Sequence, residues 1–135
     1  MTIKVQDLQG DHLLQADAAG NATPGTPDEF VVGIVPFRAT VTAVRFVAKT
    51  AITGAATNFF TASLRNRGAA GAGALTVASR AYSAGNNATA FAGDTLTLTA
   101  DVTVASGDVL TLEKLVSGTG LAMPAGTITV TLRAR

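Results

Sequence analysis

One histidine, His12, stands beside an acid, Asp11, and this is the chain's nearest approach to a base oriented by a carboxylate. Such a base activates a hydroxyl nucleophile when a serine is brought alongside. Ser63, Ser79, Ser83, Ser106 and Ser117 are available, but none has the Gly-x-Ser-x-Gly setting that holds a nucleophile on a sharp turn. Glycoside hydrolysis needs two carboxyls across one cleft, about 5 to 9.5 Å apart. Beyond residue 29 the acids are Asp94, Asp101, Asp108 and Glu113. The three aspartates fall where turns feed strands, and Glu113 falls inside a strand, where a base or water pairs it. With no cysteine and one histidine, a single chain cannot close a tetrahedral zinc site, and no Asp-x-Asp-x-Asp-Gly run marks a calcium loop. The glycine-rich Gly68-Ala-Ala-Gly-Ala-Gly73 lacks the Gly-Lys-Ser or Gly-Lys-Thr ending of a phosphate loop and reads as a hairpin loop. The expectation is a protein that is not an enzyme and carries no cofactor and no metal.

Binding chemistry is sparse as well. Aromatic residues make up 5% of the chain, too few for base stacking, and the tightest basic group is Arg65-Asn-Arg67, with Arg80 one strand later. Loop-rim charges explain these arginines, and no nucleic-acid partner is expected. Tyr82 and Phe91 are the pair of aromatics that a glycan-contacting groove would use. Asn21-Ala-Thr23 and Asn87-Ala-Thr89 match the glycosylation acceptor pattern, which is expected by chance in a chain rich in Asn and Thr. The first seven residues include polar and charged ones where an export signal needs an apolar stretch, and no apolar run approaches the roughly 20 residues of a membrane span. A soluble chain made in a reducing cytoplasm, without a membrane partner, is expected.

The elements that would position any site alternate with period 2. Asp94–Ala100 and Thr127–Arg133 place Thr between Leu, Ile or Val, the spacing of a half-buried strand. Phe30–Val35, ended by Pro36, Thr40–Ala48, Thr57–Arg65, Leu75–Tyr82 and Asp108–Leu115 complete the clear set. In Thr40–Ala48, Val44, Phe46 and Ala48 share one face. Phe60, Ala62 and Leu64 form the inward set of the next strand. An arm strand, or a short one over Ala100–Ala105, brings the count to eight or nine. Strands every 10 to 15 residues or so, with no helical period, predict an all-β antiparallel sandwich of about eight strands. Eight is the number of a jelly roll, although an immunoglobulin-like Greek key remains open at this point.

The chain divides by charge. Residues 1–29 hold Asp7, Asp11, Asp17, Asp28 and Glu29 against Lys4 alone, a net −4, and the other nine bases face four acids, a net +5. Residues 1–28 read as an acidic N-terminal arm and linker, and 29–135 as the β-sandwich domain. The arm carries Ile3, Val5, Leu8, Leu13 and Leu14, apolar residues that must be buried somewhere. Pro24 and Pro27 would let it reach a neighbour's sheet edge, or it completes its own sandwich. Charged residues are 14% of the chain against a usual figure of about 25%, which suits close apposition to another protein.

Ala39-Thr-Val-Thr-Ala-Val-Arg-Phe46, Ile52-Thr-Gly-Ala-Ala-Thr-Asn58, Val104-Ala-Ser-Gly-Asp-Val-Leu-Thr-Leu112 and Pro124-Ala-Gly-Thr-Ile-Thr-Val-Thr-Leu132 give residues 30–135 a distinct style. In these runs the chain resembles the decoration, or cement, proteins of tailed-bacteriophage capsids. The resemblance implies a structural protein on the outer surface of the virion, made in the host cytoplasm. It would act as a homotrimer that stabilises the head by bridging subunits of the major capsid protein. Ile3, Val5, Asp7, Leu8, Asp11, Leu13, Leu14 and Asp17 would then make the arm's capsid contacts. The alternative is a head- or tail-fibre module that recognises a host-surface glycan through Tyr82 and Phe91.

Overall fold

The computed structural model describes residues 10–135, which form ten β-strands and no helix. These are β1 (His12–Ala18), β2 (Asp28–Ile34), β3 (Ala39–Ala48), β4 (Phe59–Asn66), β5 (Leu75–Ala81), β6 (Gly93–Thr95), β7 (Thr97–Leu98), β8 (Thr103–Val104), β9 (Val109–Ser117) and β10 (Gly126–Ala134). One antiparallel sheet runs β1-β10-β3-β6, with β8 also on β3, and the other runs β2-β9-β4-β5-β7. Setting aside the two-residue β7 and β8, the pairs β1/β10, β2/β9, β3/β6 and β4/β5 are successive rungs of one long antiparallel ribbon wrapped over itself. That is the jelly roll, and it decides between the two topologies the sequence leaves open.

Alternation builds the core between the sheets. Val44, Phe46 and Ala48 of β3 face Phe60, Ala62 and Leu64 of β4, with Leu110 and Leu112 of β9 and Ile128, Val130 and Leu132 of β10, all at most 1% exposed. Each such large side chain contributes roughly 2 kcal/mol by leaving water. Bulges keep the phase where strict alternation would lose it. In β3 the register with β10 shifts at Thr131/Leu132, so Ala39 and Val41 point inward before the bulge and Val44, Phe46 and Ala48 after it.

Two expectations change in detail. Asp94–Ala100 is not one strand: β6 pairs with β3 in the first sheet and β7 with β5 in the second. Leu96, 1% exposed, lies between them and donates its N–H to Val44. Alternation fixes local extension but not which neighbour a strand pairs with, so a run can cross between sheets without breaking its pattern. The second change is at the N-terminus. His12–Ala18, read as part of an arm, is an edge strand of this sandwich in register with β10 from His12↔Leu132 to Ala18↔Gly126. Its even residues point inward, Leu14 and Ala16 packing on the core.

Candidate functional site

Residues 19–27, read as a linker, are tied to the sandwich through Lys114. On β9 the parity of Leu110 and Leu112 continues to Lys114 and turns it inward, where it is 0% exposed. Its Nζ donates to the carbonyls of Thr23 (2.8 Å), Pro24 (3.2 Å) and Asn21 (3.4 Å) and lies 6.0 Å from the Phe60 ring centroid. Burial lowers the ammonium's pKa, and the nearby Asp28 carboxylate opposes that shift. Asn21 is further held by paired backbone bonds with Met123 and by its own amide on Asp28. Gly120, at φ +76°, lets Pro24 come close: a Cβ there would sit 2.0 Å from the Pro24 oxygen. The strap is therefore built into the domain. Its turn formers satisfy a buried cation through their carbonyls.

Arg65 and Arg67, expected at a loop rim, lie on the outer face of the second sheet and are used internally. Arg67 forms a two-pronged pair with Glu29, which also accepts from the Thr111 hydroxyl at 2.6 Å. Arg65 pairs with Glu113 at 2.7 Å. Glu29 and Glu113 are directly opposite across β2 and β9, a like-charge pairing that each arginine neutralises. The Arg67 hydrogen bond holds the Glu29 carboxyl below its ordinary value, against burial. Arg80 approaches Asp94 at 3.3 Å.

Tyr82 and Phe91 do not form an exposed aromatic platform. Tyr82 is 0% exposed, its ring 5.0 Å from that of Phe60 and its hydroxyl donating to Asp94 at 3.0 Å. A ring buried on both faces has none left for a sugar. Burial and the Asp94 charge raise its pKa. Phe91 is the opposite case: 77% exposed, and with φ 61° the non-glycine at positive φ among the described residues.

One open surface is the edge where β1 and β2, each the last strand of its sheet, lie side by side, Leu14 Cδ2 being 3.9 Å from where a Cβ on Gly33 would be. Leu13 stands on the outer face of β1, and Val31 and Ile34 on the outer face of β2, 61%, 69% and 63% exposed. Among the described residues, both strands present backbone groups that no other strand pairs. Of the residues expected to contact a capsid, Asp11 pairs with Arg133 at 2.8 Å and Asp17 accepts from the Thr127 hydroxyl. Leu13 projects outward and Leu14 inward. Ile3, Val5, Asp7 and Leu8 lie outside the described residues. Val31, Ile34 and Lys114 are additional. The parity of Leu110 and Leu112 is a usable sign for Lys114, whereas Val31 and Ile34 both face outward only because β2 is bulged between Val31 and Gly33.

No protein-family model matches the chain, and no curated protein does. Among solved structures, one described as the structure of infectious bursal disease virus Gx strain is similar at a TM-score of 0.41 and 13% identity over 91% of this chain. The chain spans 32% of that one. A likeness this slight carries no argument about what the chain does.

Proposed function

We propose that this protein is a structural component of a virion. It decorates the outer surface of a phage head as a homotrimer, bridging and stabilising major capsid subunits without catalysis. The observation that supports the reading is the β1–β2 edge, whose backbone no described strand pairs further, with exposed aliphatic side chains on the outer faces of both strands. A long exposed apolar edge is a liability for a free monomer, and a partner that adds an extended segment or a flat surface removes it. Backbone hydrogen bonds then give affinity, and Leu13, Val31 and Ile34 give specificity.

The test is co-sedimentation of the protein with undecorated mature shells, counting copies per shell. Saturation at a fixed ratio to the major capsid protein is expected. The triple variant Leu13→Thr, Val31→Thr, Ile34→Thr should weaken attachment by more than about tenfold, since three desolvated aliphatic contacts are lost. Wild-type protein that does not sediment with shells would refute decoration and make a glycan screen the next measurement. A triple variant that binds like wild type would move the attachment face elsewhere.

A further inference from the structure

At the end of the first sheet where β1, β10 and β3 stop together, a shallow hollow of about 480 Å³ has a floor of Ala18, Ala19, Ala125 and Gly126. Asp17 lines it on one side and Lys49 on the other. Strand β10 lies between β1 and β3, so two strand spacings, about 10 Å, separate the backbones that carry the two charges. Neither makes an ion pair among the described residues, in contrast to the arginines of the other sheet. Beside the hollow, the Phe91 N–H bonds the carbonyl of Ala48, next to Lys49, and this fixes a largely exposed ring at positive φ. The backbone is held in a conformation that L side chains seldom adopt, and the result is an apolar knob.

We propose that this end of the sheet is a contact between two copies of the chain, in which Phe91 of one copy seats in the alanine–glycine hollow of the other while Lys49 meets the other copy's Asp17. A second copy is the occupant because one chain carries both halves of the match: knob and hollow, unpaired base and unpaired acid. Alanine and glycine let a neighbour's ring approach the backbone closely, and the charges set its orientation. The contact serves a closed pair, in which it is made twice, and also a ring, in which each copy uses each half once. It leaves the β1–β2 edge free and needs no shell, so a chain that self-associates but does not sediment with shells refutes the capsid reading alone, whereas one that binds shells as a monomer refutes this contact and the homotrimer of that reading.

The experiment is analytical ultracentrifugation of the full chain, with melting temperature recorded for each variant. Wild type should self-associate. Lys49→Asp and Asp17→Lys should each weaken association by about tenfold or more, because like charges then face each other. The double variant should return to within about threefold of wild type, as coupled partners do. Phe91→Gly should weaken association without lowering the melting temperature, since glycine accepts the positive φ. A wild type monomeric at all concentrations would overturn the proposal. So would association indifferent to Lys49→Asp, or a double variant no better than the singles.

Discussion

The two outer faces of the sandwich use their charges in opposite ways. On the β2–β9–β4 face, Glu29, Arg67, Glu113 and Arg65 bond one another across strands, and they help cover Thr111 to 6% exposure. On the β1–β10–β3 face, Asp17 and Lys49 lie on either side of β10 and form no ion pair among the described residues, and the Asp11–Arg133 pair is largely exposed. The acids and bases in the sequence look alike. Strand position decides which are structural and which are left over for a partner.

The strongest way to break this contrast is to disturb the most completely satisfied charge. Lys114→Ala leaves three carbonyls of residues 21–24 without their donor beneath the strap, and a loss of about 3 kcal/mol is expected. Urea denaturation measures it, and limited proteolysis should report earlier cleavage within residues 19–27. A loss below about 1 kcal/mol would mean that water replaces the ammonium and that the strap is held mainly by Asn21 and Gly120.

A smaller effect belongs to the Glu29–Arg67 pair. The Arg67 hydrogen bond holds the Glu29 carboxyl below its ordinary value of 4.5, so its contribution is fully present above about pH 4.5 and is lost as pH falls through the lower folded-state value. Glu29→Gln should cost about 1 kcal/mol at neutral pH, discounted for its partial exposure. It should also flatten the stability profile below pH 4.5. A profile identical to wild type would show that Arg67 only shields Thr111.

Much of this was legible in the sequence. Period-2 alternation located β2, β3, β4, β5, β9 and β10, because burial on one face forces that period, and it placed Phe60, Ala62 and Leu64 inward. It did not show that Asp94–Ala100 crosses between sheets or that His12–Ala18 is an edge strand, since pairing partners are distant in sequence. Tyr82 was misjudged as a contact residue for a related reason: an aromatic near a strand end reads as exposed unless the opposing Phe60 and Asp94 are known. The open edge depends on the β2 bulge, and composition carries no sign of it.

The exposed aliphatics sharpen the contrast from the other side. Val31→Thr and Ile34→Thr should shift folding stability by no more than about 0.5 kcal/mol, since each already faces water and threonine keeps the β-branch that strands favour. A loss above about 1.5 kcal/mol by thermal denaturation would show that these residues support the fold, and would remove them from any partner surface.

The smallest expected effect concerns Asp11–Arg133, which has the same chemistry as Glu29–Arg67 in a wetter place. The ions are 2.8 Å apart, but their side chains remain 52% and 63% exposed, against 26% and 27% for Glu29 and Arg67. Water competes for both partners, so Arg133→Ala should lower stability by less than about 0.5 kcal/mol. That difference should disappear near 1 M salt, where screening acts within about 3 Å. If Arg133→Ala instead matched Glu29→Gln in size, exposure would not be what separates the two pairs, and the start of β1 would be as firmly fixed as β2. An edge strand anchored that tightly would attach as a preformed surface and not as a strand that rearranges on contact.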